Sequence, residues 1–444
     1  MTCRPNVLLL TVDSLRYDTV TDDTVSTPNF DSIRDNGVDF SRAYASGPYT
    51  RASVPAMVSG THPWMYGGYA RLTADRPYMA EAFSQAGYTT AAFHSNPYLS
   101  AEFGYDRAFD RFFDGQAENS LLGQIRRYVT RTLPKDSVLY RSLRWAYKRG
   151  EETTGMSIGM PYISGERLNE QVFDWLAENT DPAFCWVHYM DVHHPYVPHE
   201  DTASAGIEKQ RAIRLRQKMI ESPETLSEEG ISTLKELYRG EIEYTDICIG
   251  ELLDELERYW DMDDTVILLA ADHGEAFGEH EEFGHSDILY DEVTRVPFAI
   301  HTPERDSNCI SSPVSGVDIL PTLLDEASID YDRTLNGISA FQVPKEDRIV
   351  FAVAGQPDGG NVMAVEGGWK LTTDTEMEDV SLFDIEGDPQ ESKDVSERNE
   401  GVVGQFLDEV VGHITFVEES TDSVSRPEVS SDVENRLQEL GYQE

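Results

Sequence analysis

The sequence predicts an α/β protein with one large mixed, mostly parallel sheet flanked by helices, followed by a small C-terminal antiparallel-sheet subdomain. Short apolar, β-branched runs recur between residues 6 and 302, with helix-prone segments between them. These runs are continuous rather than alternating, which is typical of strands buried on both faces of a parallel sheet. Past Gly337 the runs become short and alternate in polarity, as strands of a small antiparallel sheet do.

Individual elements follow from these runs. The predicted strands of the large sheet are NVLLLTVD, TTAAFHS, AFCWVHYM, DTVILLAAD and VPFAIHT, and those of the small sheet lie in RIVFAVAG, NVMAVEGGWKLTTD and VSLFDIEGD. We therefore expect an α/β domain over residues 1–340, an α+β subdomain over 341–415 and an acidic tail over 416–444. The charged stretches 115–165 and 200–240 lack strand signals, so helical insertions are expected there.

The charge of the chain is strongly negative. Asp and Glu number 81 against 36 Lys and Arg, of which only 8 are lysine, and the formal net charge is -45. With 39% hydrophobic and 10% aromatic residues the chain is folded rather than disordered. Such a surface predicts a halophilic protein, because at molar salt a Debye length of roughly 3 Å screens the self-repulsion. Binding to nucleic acid or to an anionic membrane surface is not expected.

The lack of a recognisable targeting signal and the spacing of the cysteines predict a cytoplasmic protein. The sequence shows no signal-peptide pattern and no segment of the length of a membrane span. Cys3, Cys185, Cys248 and Cys309 are far apart and lie mostly in apolar runs, which favours free buried thiols over disulfides or a zinc site. The sequence predicts no particular oligomeric state.

Polar residues follow the predicted strands at their carboxyl ends, where open α/β sheets bind ligands. Asp13 follows VLLLTV, and Asp272 with His273 follows TVILLAA. Carboxylates with one imidazole suit Ca²⁺, Mg²⁺ or Mn²⁺, and Zn²⁺ is another candidate. Taken alone, an Asp-His pair is weak evidence, because a histidine after a strand can simply cap the next turn.

Further polar side chains fall at equivalent positions. They are His94 and Asn96 after TTAAF, Asp191 and His193 after CWVHYM, and His285 in the loop beyond His273. We expect His194, His199 and His280 to be surface or supporting residues. In the loop GPYTRASVPAMVSGTHP, either Thr50 or Ser53 offers a hydroxyl for chemistry, and the alternative is that each only caps the helix that follows.

Several ordered motifs together resemble the sulfatase family of the alkaline phosphatase superfamily. They are RPNVLLLTVDSLR, TRASVPAMVSGTHP, HYMDVHHPY, YRGEIEYTDICIGELLDEL, TVILLAADHGEAFGEHEEFGH and the late pieces WKL and LFDIEGDP. The motifs extend over nearly the whole chain. The resemblance implies an alkaline-phosphatase-like fold and metal-dependent ester hydrolysis by the 1–340 domain, in a haloarchaeal-type variant with a threonine nucleophile.

The resemblance places Thr50 at the nucleophile position. The family's loop reads Cys-x-Pro-x-Arg, and its cysteine is converted to formylglycine; here Thr50, Ala52 and Val54 occupy the three positions. Threonine cannot yield formylglycine by that route, so no formylglycine is expected. Relatives with threonine bind the hydroxyl to the metal and attack with the alkoxide. Ser53 is then expected to be a first-turn cap residue.

The resemblance also implies a ligand set. We expect one divalent cation, with Ca²⁺ as first choice, bound by Asp13, Thr50, Asp272 and His273 at three adjacent strand ends. Ser14 replaces the second of two adjacent aspartates in the family, which removes one charge.

Other family positions surround the nucleophile. His94 and Asn96 stand where the family has a lysine and a histidine, His193 matches a substrate-contacting histidine, and His285 stands where a lysine often contacts the sulfate. We expect His94, His193 and His285 to take part in catalysis, and Arg51 and Asn96 to bind substrate. Because lysines are replaced, the charge preference of the substrate stays open.

Three functions are compatible with these residues. The first, which the population of the family that the chain resembles favours, is hydrolysis of sulfate esters of small molecules or glycans. The second is hydrolysis or transfer of phosphodiesters or phosphonates through a phospho-threonine. The chemistry of Thr50 favours the second, because a sulfated threonine needs direct attack by water whereas formylglycine can expel sulfate by collapsing to the aldehyde. The third, an inactive metal-binding scaffold, is motivated by the missing arginine and lysines.

Overall fold

The computed structural model describes residues 4–115, 162–179, 182–344, 348–419, 427 and 429–440. Nearly all of the insertion expected at 115–165 lies outside the described residues, as do Cys3 and parts of the expected tail.

The strands of the described residues form four sheets. In chain order they are β1 Asn6–Val12, β2 Val38–Phe40, β3 Ala43–Tyr44, β4 Thr89–Phe93, β5 Arg111–Phe113, β6 Ala183–Tyr189, β7 Thr265–Ala271, β8 Ala276–Phe277, β9 Phe283–Gly284, β10 Phe298–His301, β11 Asn308–Ile310, β12 Val314–Ser315, β13 Val350–Ala354, β14 Asn361–Glu366, β15 Trp369–Asp374 and β16 Ser381–Asp384. Every strand predicted from the sequence is present.

The described α-helices connect and cover these strands. They are α1 Tyr17–Val20, α2 Pro28–Asp35, α3 Thr50–Ser59, α4 Met79–Gln85, α5 Gly165–Leu176, α6 Lys209–Glu221, α7 Glu228–Leu256, α8 Asp291–Thr294, α9 Ile319–Glu326, α10 Glu400–Glu419 and α11 Ser431–Glu439. Helix α7 begins where the Ser227 hydroxyl accepts a hydrogen bond from Gly230 N–H at 3.2 Å, with acidic residues in the first turn. The stretch 200–240 contains α6 and the first part of α7, which continues to Leu256.

The large sheet has eight strands in the order β11-β2-β10-β7-β1-β6-β4-β5. β10 is antiparallel to both of its neighbours, and every other pair in the sheet is parallel. The predicted fold class is therefore confirmed. The sequence did not reveal β2, β5 and β11, because three residues are too few to show a pattern.

Two helical layers bury the faces of this sheet. β1, β6 and β7 are buried along their whole length, as continuous apolar runs predict. Leu8 and Leu10 of β1 pack with residues of α2, α5 and α7, whereas Val7 and Leu9 pack on the other side with residues of α3, α4 and α9. The central position of β1 places its carboxyl end in the middle of the sheet edge.

The C-terminal region contains the predicted small antiparallel sheet, in the order β13-β14-β15-β16. Apolar residues of α10 pack on it. Lys370 of β15 is fully buried and forms ion pairs with Asp291 at 2.9 Å and Glu391 at 2.8 Å. The tail does not begin at residue 416, because α10 continues unbroken through that position.

One cysteine prediction is corrected. Cys185 and Cys248 are free and buried, but Cys309 is exposed because it lies on the edge strand β11. Within the described ranges, no helix combines the length and apolar character needed to cross a membrane.

Candidate active site

Two neighbouring strands bring a carboxylate pair and an imidazole together. Asp13 follows β1, and Asp272 and His273 follow β7, which pairs with β1 along its whole length. All three side chains are fully buried, and each offers one ligand atom such that these atoms lie within 4.8 Å of one another. This cluster can hold a metal ion.

Thr50 reaches the cluster from a helix rather than from a strand. It is the first residue of α3, and its hydroxyl donates to Asp13 Oδ2 at 3.2 Å. The expectation of three adjacent strand ends is therefore wrong, since the four expected ligands come from two strand ends and one helix N-terminus. This position favours a negative charge on the threonine oxygen, because the N-terminus of a helix carries a partial positive charge.

Asn96 adds a donor to the same group. Its side-chain amide donates to Asp13 Oδ2 at 3.0 Å and to the Thr50 hydroxyl oxygen at 3.4 Å. The amide orientation is fixed, because Asn96 Oδ1 accepts a hydrogen bond from Tyr98 N–H at 3.0 Å.

Ser53 does not cap α3, which corrects the sequence prediction. Its own N–H already belongs to the helix, donating to Tyr49 O at 3.0 Å, so its side chain lies beyond the first turn. The Ser53 hydroxyl is fully buried and has no hydrogen-bond partner among the described residues. The residue before the helix, Tyr49, provides no side-chain cap either.

The orientation of Asp272 and His273 suits a cation. His273 Nδ1 lies 2.8 Å from Gly274 O, so this nitrogen carries the hydrogen and Nε2 keeps its lone pair. His273 Nε2 and Asp272 Oδ2 are buried without hydrogen-bond partners among the described residues, 3.5 Å apart. A divalent cation would satisfy both atoms, so the residues present fit a metal ion.

Electrostatics at the cluster lead to the same conclusion. Burial, and next the charge of Asp13, raise the pKa of Asp272 to about 8. Burial acts against ionisation of Asp13 too, but His193 and His188 together hold the pKa of this carboxyl well below its usual value. Burial lowers the pKa of His273 to about 4. Neutral His273 and ionised Asp13 have the form that metals require, and a bound cation would offset the burial and the Asp13 charge that raise the pKa of Asp272.

His193 and His285 form a second group beside the carboxylates. The ring of His285 lies 4.5 Å from that of His273 and 5.1 Å from that of His193. His193 Nδ1 is 2.6 Å from His194 O, which orients the ring. Burial lowers the pKa of His193 to about 4.

Glu275 shifts the pKa of His285 in the direction opposite to that of His193. The fully buried Glu275 carboxylate lies 3.0 Å from His285 Nδ1 and accepts a hydrogen bond from the Tyr196 hydroxyl at 3.0 Å. Burial acts to lower the pKa of His285, but Glu275 outweighs it and raises the value above the usual one. The pKa of Glu275 is lowered in turn, since the pairing with His285 exceeds the effect of burial. The pair therefore favours the imidazolium form of His285 at the position where the lysine of the resemblance would stand.

Two predicted site residues lie at the margin of this group. The ring of buried His94 packs against Phe112 at 5.1 Å and Trp186 at 5.9 Å, and burial lowers its pKa well below the usual value. In the described part of the chain, no hydrogen bond or ion pair joins His94 to Thr50. The Arg51 guanidinium lies over the ring of Tyr98, 5.1 Å from its centroid.

The histidines expected to be peripheral differ among themselves. His194 is buried, with its ring 4.3 Å from that of His193, so it supports the site. His199 lies apart, paired with Glu241 at 2.7 Å, and His280 stacks on Tyr290 at 3.6 Å.

Sequence reasoning missed two buried groups, Glu275 and His188. Glu275 follows His273 by two residues, and one more acidic residue among 81 gave no signal. His188 lies within β6, where it reads as part of an apolar run, yet its Nε2 is 3.4 Å from Asp13 Oδ2.

Comparison with known proteins places this site in a family. The family model described as Sulfatase matches residues 5–329, which is more than half of the chain. The chain belongs to the sulfatase family. It is therefore a hydrolase of the sulfatase family.

Individual relatives span most of the chain. A choline-sulfatase of Rhizobium meliloti (strain 1021) is 25% identical over 91% of this sulfatase-family chain and 85% of its own length. Arylsulfatase K of Gallus gallus is 26% identical over 97% and 84%. The crystal structure of a phosphonate monoester hydrolase of Agrobacterium radiobacter superimposes with a TM-score of 0.71 at 20% identity, over 93% of this chain and 96% of that one. That structure shows the shared fold.

Proposed function

We propose that this sulfatase-family protein is a metal-dependent hydrolase of sulfate esters in which Thr50 is the nucleophile. One observation carries the proposal: the Thr50 hydroxyl, at the N-terminus of α3, donates to Asp13 of the carboxylate and imidazole cluster. A nucleophile, an anion-stabilising helix end and cation ligands then meet at one point.

Asp13, Asp272 and His273 would hold the cation, with Thr50 as the fourth ligand and Ca²⁺ as first choice. When bound, a divalent cation lowers the pKa of a neighbouring hydroxyl and offsets charge on a tetrahedral anion. Asp13 and Asn96 orient the Thr50 oxygen, through contacts of 3.2 and 3.4 Å.

The reaction divides into two displacements. In the first, the Thr50 hydroxyl gives its proton to solvent and its oxygen attacks sulfur, the bond from sulfur to the ester oxygen breaks, and the departing alcohol takes a proton from the His285 imidazolium. In the second, water attacks the sulfur of the Thr50 ester and gives a proton to neutral His285, the bond from sulfur to the Thr50 oxygen breaks, and that oxygen takes back a proton from solvent as hydrogen sulfate is released. Glu275 favours the protonated form of His285 that the first step uses.

Hydrogen-bond donors and one positive group beside Thr50 would bind the anionic ester. Arg51 is the neighbouring residue, and its Nε has no hydrogen-bond partner among the described residues. Asn96 offers amide hydrogens, while His193 lies in the turn that follows β6, beside His285. His94 would support the wall of the site, next to Trp186.

The relatives and the nucleophile favour different esters. Choline-sulfatase and arylsulfatase K are named for sulfate esters, which supports the sulfate proposal. Thr50 supports a second candidate, a phosphodiester or phosphonate hydrolase with a phospho-threonine intermediate. This second candidate follows because water displaces a phosphoryl group from threonine more readily than it displaces a sulfuryl group.

The experiment that tests the proposal is turnover of an aryl sulfate, a phosphate diester and a phosphonate monoester in molar KCl, with and without chelator. We expect Thr50→Ala to abolish turnover, Thr50→Ser to retain part of it, and acid quench with labelled substrate to leave the label on the Thr50 peptide. Ser53→Ala is the matched control, since Ser53 is buried on the same helix and should remain active.

The outcomes separate the candidates. Turnover of the aryl sulfate alone supports sulfate hydrolysis. The second candidate is supported if the aryl sulfate labels one equivalent of protein without turning over, while the phosphoesters turn over steadily. Full activity of Thr50→Ala with an inactive Ser53→Ala would transfer the nucleophile role to Ser53. Full activity of both variants would show that water attacks directly, and activity unaffected by chelator would refute metal dependence.

A further inference from the structure

A chain of polar side chains lies between β1 and β6, behind Asp13. Thr11 of β1 and His188 of β6 are paired in the sheet register, and both are buried with Trp186. Trp186 Nε1–H donates to the Thr11 hydroxyl oxygen at 2.9 Å, and that oxygen lies 2.9 Å from His188 Nδ1. On the other side of the same ring, His188 Nε2 lies 3.4 Å from Asp13 Oδ2.

The order of donors favours one tautomer of His188. An indole nitrogen can only donate, so the Thr11 oxygen accepts from Trp186 and must give its single hydrogen elsewhere. His188 Nδ1 at 2.9 Å is a better acceptor for this hydrogen than Val187 O at 3.5 Å. With Nδ1 as acceptor, the ring hydrogen sits on Nε2, a buried atom that makes no hydrogen bond within the described residues and has Asp13 Oδ2 as a neighbour at 3.4 Å. The opposite tautomer would set the Nε2 lone pair against a carboxylate oxygen.

We propose that His188 is a positioning residue that donates from Nε2 to Asp13, with Thr11 and Trp186 holding its tautomer. His188 is then not a metal ligand, although it lies beside one. This inference rests on the proposed cation site and extends it into the interior of the sheet. Residues that orient ligands in this way tune metal affinity, and their loss typically weakens it roughly 10- to 100-fold.

Asp13 is oriented mainly through its Oδ2 oxygen. Thr50, Asn96 and His188 all approach Oδ2, while the Ser14 hydroxyl donates to Oδ1 at 3.0 Å. Of these three residues, only His188 lies on a strand, and that strand is buried along its whole length. Its contact therefore fixes the carboxylate plane without the freedom of a loop.

The test compares two amides at position 188. In His188→Gln, the side-chain amide nitrogen can occupy the position of the histidine Nε2 and still donate to Asp13. In His188→Asn, the shorter side chain brings its amide nitrogen only to the position of Nδ1. Measured with Mn²⁺ alone and no substrate, affinity should fall roughly 10- to 100-fold in His188→Asn and be largely restored in His188→Gln. Thr11→Val should weaken affinity in the same direction. Thr90→Val, a buried threonine of β4 away from the cluster, is the matched control and should bind as the parent does.

A second readout does not depend on metal. In metal-free protein labelled with ¹⁵N-histidine, the nitrogen shifts of His188 should show protonated Nε2 and acceptor Nδ1, and Thr11→Val should change that pattern. A hydrogen on Nδ1 and none on Nε2 would overturn the proposal. The proposal would also fail if His188→Asn bound Mn²⁺ as tightly as the parent, or if both amide variants bound it equally weakly. If the parent binds neither Mn²⁺ nor Ca²⁺, the proposed cation site fails, and the ¹⁵N pattern still decides the role of His188. The same pattern decides it if a variant does not fold.

Discussion

At the scale of single residues, the protonation of His285 depends on one buried carboxylate. Glu275 raises the pKa of His285, so replacement by the neutral Glu275→Gln should lower it. If protonated His285 is the general acid, kcat/KM should then decline at lower pH on the basic side of the profile than in the parent. A pH series of kcat/KM checks this expectation.

The control for this change lies on the same loop. Glu282→Gln removes one charge from an exposed position and should leave the basic limb in place. A basic limb that stays in place in Glu275→Gln would assign the leaving-group proton to another residue, with His193 as the next candidate.

How much of the site could be predicted depended on where each residue sits. Asp13, Asp272 and His273 directly follow long apolar runs, so strand ends revealed them. Thr50 emerged only by resemblance, since nothing local distinguishes its hydroxyl from that of Ser53. His188 could not emerge, because its function comes from the register of β6 against β1, which is a tertiary property.

At the scale of elements, the end of α3 depends on a left-handed residue. Gly60 ends the helix at φ +64° and ψ +24°, a conformation that costs other residues roughly 1–2 kcal/mol. Its carbonyl also accepts hydrogen bonds from Asn336 and Gly337 N–H. Since an added Cβ would meet its neighbours only at ordinary contact distances of 3.4 Å, backbone strain alone should destabilise Gly60→Ala, by about 1 kcal/mol.

A second glycine provides a control of opposite sign. Gly404 lies within α10, and an added Cβ there meets nothing within 4 Å. Gly404→Ala should therefore stabilise the protein by roughly 0.5–1 kcal/mol. Urea unfolding midpoints in molar KCl measure both changes, and a Gly60→Ala variant as stable as the parent would show that the end of α3 tolerates another conformation.

The elements themselves were predictable where pattern and length coincide. Seven-residue strands such as β1, β6 and β7 were evident, because complete burial requires an unbroken apolar run. Reversal of β10 within the sheet was not evident, since an apolar run carries no direction. The three-residue edge strands acquire their structure from the neighbour they pair with rather than from their own sequence.

At the scale of the whole molecule, the charge of -45 should make stability depend on salt. Like charges on a compact surface repel one another, and this repulsion is relieved on unfolding because the chain expands. Salt screens the repulsion in the folded state, so we expect the melting temperature to rise from dilute buffer to molar KCl. The predicted halophilic character rests on this dependence.

The way in which the melting temperature rises with salt concentration distinguishes charge screening from exclusion of a cosolute from the protein surface. The Debye length falls from about 10 Å at 0.1 M to about 3 Å at 1 M, so a screening gain is largest at low salt and levels off toward molar salt. Exclusion of a cosolute from the surface instead continues to stabilise as concentration rises. Sucrose at matched osmolality is the control, and it should give a smaller rise without the early steep phase. A melting temperature unchanged between dilute buffer and molar KCl would contradict the prediction, and equal rises in sucrose and KCl would assign the effect to exclusion rather than to the acidic surface.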